Sequence, residues 1–278
     1  MPVRIYKGAK KMIRIKHLFF LIGGLLVLIG PLQAQFYKVY DYQPTEAGEI
    51  EFALWNSYVA SSDVDYNFFG EELSRQGILA HSLELEYGLS NKWGIALYLD
   101  YEDPKGGSLK HVRTKALMAH YAFFSKGSRP VDIAIYLEYI FNNKSYEESE
   151  ELEVRLILEK DVGAFRIDFN PIFEKKTSGP EVDEGLEFNY ALGIYYLNND
   201  EGIYFNKNLM IQPGIEFYGK MGEAVDFKPW DEQRHYIFPT LDFYIGKRFH
   251  WHAGVGFGLT DASDTVTFKS ILSYVIKF

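Results

Sequence analysis

From Val131 to Phe141 the chain alternates without a break. Val131, Ile133, Ile135, Leu137, Tyr139 and Phe141 fall on one face, Asp132, Ala134, Tyr136, Glu138 and Ile140 on the other. Successive strand side chains point to opposite faces, so a period of two specifies a β-strand with two chemically different sides. The pattern recurs along the chain. Trp93, Ile95, Leu97, Leu99 and Tyr101 oppose Gly94, Ala96, Tyr98, Asp100 and Glu102. Leu186, Phe188, Tyr190, Leu192, Ile194 and Tyr196 oppose Glu187, Asn189, Ala191, Gly193 and Tyr195. Twelve such segments are read, over 49–61, 77–87, 93–102, 109–124, 131–141, 150–160, 164–173, 185–197, 203–218, 234–246, 249–258 and 265–278.

The connections alternate in length. Longer polar ones (62–76, 103–108, 142–149, 174–184, 219–233) take turns with short ones such as Gly88-Leu89-Ser90-Asn91-Lys92 and Lys247-Arg248, and only 259–264 breaks the trend. An even number of strands with long loops at one end and tight turns at the other is the layout of an outer-membrane barrel. A sheet in a bilayer must close on itself, because no water is there to satisfy an open edge. The fold class expected is therefore all-β: a closed antiparallel transmembrane β-barrel of about 12 strands. A soluble sandwich alternates in the same way, with its apolar face turned inward instead.

Three further features favour the barrel. Aromatic rings cluster at strand ends (Tyr87, Trp93, Tyr139, Phe141, Phe249, Trp251, Tyr274), as at membrane interfaces. The chain has no Cys, which fits the envelope and excludes a disulfide framework, an Fe–S cluster, a Cys nucleophile and a thiolate zinc site. The last strand ends on Phe278, which resembles the signal read by the barrel assembly machinery of the outer membrane.

Residues 1–34 read as an address. Arg4, Lys7, Lys10, Lys11, Arg14 and Lys16 precede the apolar run Leu18 to Ile29, and Ala34 follows a short polar stretch. This is the pattern of a cleaved signal peptide. A retained anchor is disfavoured, because a spanning helix needs about 20 apolar residues. Met12 is an alternative start. Without these residues 23 bases face 38 acids, a net charge of −15. Nucleic acid is excluded as a partner on that balance. The expected organisation is a signal peptide over 1–34, an N-terminal periplasmic segment over 35–48 that folds into the barrel mouth or stays mobile, and the outer-membrane barrel over 49–278.

The polar faces predict a charged lumen. Its expected acids are Glu84, Glu86, Asp100, Glu102, Asp132, Glu138, Glu153, Asp168, Glu187, Glu216 and Asp242. The bases expected beside them are Arg113, Lys115, Arg155, Arg166, Arg234 and Lys269. Two readings stand: a wet polar channel lining, or a salt-bridged filling of a narrow barrel. Twelve strands fall between filled barrels of about 8 and open porins of about 16–18. Acids exceed bases, so some charges need water rather than partners.

Other candidates are weaker. His250 and His252 share a face and suit one metal, but no third ligand is identifiable. His120, Ser125 and Ser273 carry no spacing that picks out a nucleophile and its base. Asp63, Asp65 and the Glu147–Glu151 cluster read as hydrated acidic loops rather than a calcium site. No metal, no cofactor and no enzyme activity are expected.

Tyr87-Gly88-Leu89-Ser90-Asn91-Lys92-Trp93-Gly94-Ile95-Ala96-Leu97-Tyr98-Leu99 resembles a hairpin of the MetA-pathway-of-phenol-degradation family of outer-membrane proteins. Val112-Arg113-Thr114-Lys115-Ala116 resembles the strand after it, and Gly258 to Asp264 with the final strand resembles that family's terminal hairpin. The resemblance covers about 80–278. It implies a barrel that passes small organic molecules across the outer membrane. The leading expectation is a passive channel for small molecules, apolar or aromatic ones if the resemblance holds. The alternatives are a non-conducting structural or surface-interaction barrel, and an outer-membrane lipid-modifying enzyme. The partners expected are the lipid bilayer, the assembly machinery at Phe278 and a small-molecule solute.

Overall fold

A computed structural model of the chain describes residues 37–198 and 202–278. The expected signal peptide lies outside the described residues. Twelve long strands follow in order: β1 (Glu49–Ser61), β2 (Ile78–Ser90), β3 (Trp93–Asp103), β4 (Lys110–Ala122), β5 (Asp132–Asn142), β6 (Glu150–Val162), β7 (Phe165–Ser178), β8 (Glu187–Tyr196), β9 (Leu209–Glu223), β10 (Arg234–Ile245), β11 (Phe249–Gly258) and β12 (Val266–Lys277). Each pairs antiparallel with its neighbours in sequence. β1 closes the sheet on β12, from Glu49 opposite Lys277 to Ser61 opposite Val266. The result is a closed barrel without free edges, as a bilayer requires. No helix among the described residues is long and apolar enough to cross a membrane.

The burial pattern inverts that of a soluble protein. Leu83 is 49% and Leu97 46% exposed on the outer wall, whereas Asp100 is 0% and Glu138 2% exposed inside. A sandwich would bury the leucines. The outward apolar band is the face that meets lipid, which places the chain in the outer membrane as a barrel.

Most strand bounds fall within a few residues of the expected ones. The clearest correction concerns 203–218. Ile203–Asn206 is a separate short strand folded back on Leu209 to Ile211, and β9 runs on to Glu223. Asn206-Lys207-Asn208 breaks the alternation, and the Asn206 side chain accepts the N–H of Asn208 at 2.8 Å, an Asx turn. β7 also extends past 173 to Ser178, because Lys175, Lys176 and Ser178 remain paired to β6 across a bulge at Thr177.

The first long loop is folded. Asp65–Phe68 and Glu71–Ser74 form a hairpin turning at Phe69 (φ 53°) and Gly70 (φ 89°), the paired left-handed conformations of a type I′ turn. Arg75 anchors it to the last loop through a bidentate pair with Asp264 (2.7 and 2.8 Å). Phe68 and Phe69 pack on Tyr146. Burial, then the nearby Glu102 carboxylate, holds the Tyr146 hydroxyl above its ordinary range.

Candidate functional site

A twelve-stranded barrel encloses more space than its own side chains fill, and here the chain supplies the remainder itself. Residues 37–47 run inside the barrel as a strap. At the turn end the Thr45 N–H donates to Glu86 Oε1 (3.2 Å) and Gln43 Nε2 to the Asn91 carbonyl (3.0 Å). Further in, the Tyr42 N–H donates to Glu159 Oε2 (2.8 Å), and its hydroxyl donates to the Phe124 carbonyl. Deeper still, the Tyr40 N–H donates to Asn170 Oδ1 (2.8 Å), and Asn170 Nδ2 donates back to the Tyr40 carbonyl (3.0 Å).

The strap's side chains bridge two aromatic clusters on the inner wall. Tyr40 and Tyr42 join Trp55, Tyr98 and Tyr136. Tyr37 and Val39 join Tyr218, Tyr236 and Phe238. Lys38 lies over the rings of Tyr40 (4.6 Å) and Trp55 (4.7 Å), and Arg155 over Tyr40 (4.6 Å) while donating to the Lys38 carbonyl (3.2 Å).

The strap divides the lumen. A cavity of about 480 Å³ lies on the loop side and one of about 310 Å³ on the turn side; Lys38 and Tyr40 line both. Their charges differ. Seven lysines and arginines and six glutamates line the loop-side cavity. Eight carboxylates line the turn-side cavity, with Lys38, Arg166 and three histidines.

Of the seventeen side chains read from the sequence as a lumen lining, twelve are buried and Arg113, Lys115, Arg166, Glu187 and Arg234 are half-buried. Most are brought together in pairs. Arg113 reaches Asp100 at 2.7 Å, and Lys115 lies 3.5 Å from Glu138. Arg155 meets Glu153 at 2.9 Å and Arg166 meets Asp168 at 3.1 Å. Lys269 bonds Glu216, which also accepts from Tyr195 (2.6 Å) and Tyr218 (2.5 Å). Glu84 accepts from Trp55 Nε1 (2.7 Å), and Asp132 caps a turn through the Gly127 N–H (2.8 Å). Glu86 holds the strap, and Glu102 is buried near Tyr146. Glu187 and Arg234 line the loop-side cavity with no ion pair among the described residues.

His250 and His252 both turn to Asp242 Oδ1, at 2.7 and 2.8 Å. No group of three ligating side chains among the described residues is placed to hold a metal. His120 packs against Tyr40 and Tyr136, and Ser125 sits exposed after β4. The Glu147–Glu151 cluster surrounds Lys176, 3.0 Å from Glu151 and 4.0 Å from Glu147.

Sequence reasoning missed the strap contacts: Lys38, Tyr40, Tyr42 and Asn170. The signal was present in Tyr37-Lys38-Val39-Tyr40-Asp41-Tyr42, three tyrosines in six residues where a mobile polar lead would have few.

No family model matches the chain, and no curated protein matches it. Solved structures do. The COG4313 outer membrane channel from Pseudomonas putida F1 superposes with a TM-score of 0.56 at 11% identity, over 87% of this chain and 100% of that one. The KdgM porin in complex with disordered oligogalacturonate gives 0.48 at 11% identity, over 81% and 98%. The NanC porin gives 0.48 at 8%, over 82% and 99%. At these identities the first likeness speaks to the fold alone, that of an outer-membrane β-barrel.

Proposed function

We propose that the protein is a passive outer-membrane channel for small molecules, closed at rest by its own N-terminal strap. One observation carries this: the loop-side and turn-side cavities have Lys38 and Tyr40 in common, which belong to the strap and not to the wall. A wall constriction would be fixed by the sheet. A constriction built on eleven residues, held by hydrogen bonds and ring packing and not by the sheet, can move while the barrel stays intact.

The lining bears on the solute. Charges and tyrosines surround both cavities, with few aliphatic side chains. A purely apolar solute gains little from such walls, whereas one carrying a polar or ionised group finds partners and a tyrosine ring to stack on. The reading therefore favours polar or ionised solutes, with or without an aromatic ring, over purely apolar ones. The strap and the paired charges equally support a second reading, a non-conducting barrel that presents its loops.

Planar-bilayer recording separates them. The refolded mature protein should give rare, brief openings, and a variant lacking residues 35–44 should give stable unitary steps. Silence from both folded proteins would overturn the channel reading.

A further inference from the structure

On the loop side of the strap, three neighbouring strands place unlike polar groups at one level. Asn189 on β8 stands opposite Lys220 on β9, and Lys220 opposite Arg234 on β10. All three line the larger cavity. A bulge sets this row. Between Glu187–Glu223 and Asn189–Lys220, β9 carries one residue more than β8, and Gly222 takes φ +90° there.

The row combines an unpartnered amide with two bases that lack a close carboxylate. Asn189 is 3% exposed, yet neither its Oδ1 nor its Nδ2 has a hydrogen-bond partner among the described residues. A buried amide without partners is costly, so its aim into a cavity calls for a ligand. Lys220 and Arg234 are like charges directly opposite each other, an arrangement that destabilises a sheet. Lys220 has one long contact, 3.7 Å to Glu174. Arg234 has no hydrogen bond or ion pair among the described residues. By contrast Arg113, Arg155 and Arg166 each have a carboxylate within 3.1 Å.

We propose that Asn189, Lys220 and Arg234 form a subsite for the carboxylate of a small organic acid on the outer-loop side of the lumen. The planar guanidinium of Arg234 matches a planar carboxylate through two parallel N–H donors, Lys220 adds a point charge, and the Asn189 amide gives one more donor. Glu187, at the rim of the same cavity and without an ion pair, repels a second negative charge and favours a monoanion. The subsite deepens the channel reading by naming the class of solute, but its binding is measurable without conduction.

The test uses the full mature barrel folded in detergent, with 4-fluorobenzoate as probe and 4-fluorobenzamide as its neutral isostere, followed by 19F line broadening. The benzoate should broaden and the benzamide should not, and acetate should reverse the broadening. Arg234→Gln should weaken benzoate binding roughly tenfold, the range of a charge-assisted hydrogen bond, and Lys220→Gln should weaken it less. Heat-modifiable migration on a gel checks that both variants fold. Equal broadening of the two probes, undiminished binding by folded Arg234→Gln and Lys220→Gln alike, or displacement by inorganic phosphate and not by acetate would each overturn the assignment. A barrel that binds benzoate in this way, while both it and the variant lacking residues 35–44 stay silent in a bilayer, would sink the channel reading alone.

Discussion

Asn170 is the most direct handle on the strap. Its side chain clamps one residue of it from both sides, accepting the Tyr40 N–H at 2.8 Å and donating to the Tyr40 carbonyl at 3.0 Å. Asn170→Ala removes both bonds and adds no bulk. Each neutral bond contributes about 1 kcal/mol net, so the docked strap loses about 2 kcal/mol. That is roughly a 30-fold shift toward the undocked form, while that form remains the minor one. Single-channel recording reads this as a roughly 30-fold rise in the time spent open at unchanged unitary conductance. Phe169→Leu, next along the strand and facing lipid, is the control for general disturbance of β7. A rise of less than about threefold in Asn170→Ala, worth under ~0.7 kcal/mol, would refute the strap as the gate. So would an equal rise in the Phe169 control.

The other predictions concern charge and loops. The turn-side cavity holds eight carboxylates against two bases, and the loop-side one is balanced, so an open pore should rectify. An ohmic pore would contradict that asymmetry. Glu138→Lys should move the reversal potential in a salt gradient toward anions; an unchanged potential in a conducting barrel would mean that Glu138 does not face the ion path. Lys269→Met leaves Glu216 charged and buried and should cost about 3 kcal/mol in urea unfolding, and the added change Glu216→Leu should restore most of it. Independent, additive losses would rule out their coupling. Arg75→Ala should release the hairpin of the first loop to protease without lowering the barrel's unfolding midpoint, because its bidentate pair with Asp264 joins two loops.

The wall was legible in the sequence because alternation is local. Val131 to Phe141 reveals two faces without reference to any other strand, and each face keeps one character from end to end. Local reading failed where the pairing partner decides. At 203–218 the chain keeps strand-forming residues on both sides of Asn206-Lys207-Asn208, and only the fold-back onto Ile211 shows two elements. The inward charges were legible as a set but not as pairs. Arg113 meets Asp100 and Arg234 meets no carboxylate among the described residues, and sheet register separates these cases rather than composition.

The strap was the least legible part because its partners are far away in sequence: Tyr40 meets Asn170 130 residues on, and Tyr42 meets Glu159 117 residues on. Its presence nevertheless follows from the wall. A barrel of this strand number is too wide for its inward side chains to fill, and its acids outnumber its bases. A filling strap must therefore offer backbone N–H donors to carboxylates and amides and rings to the inner aromatics. Tyr40 and Tyr42 do both, giving N–H groups to Asn170 and Glu159 and rings to the cluster around Tyr98 and Tyr136. Since few of these contacts are covalently or sterically locked, the element that completes the interior is also the one that can leave it. On the proposed reading, filling the lumen and gating it fall to the same eleven residues.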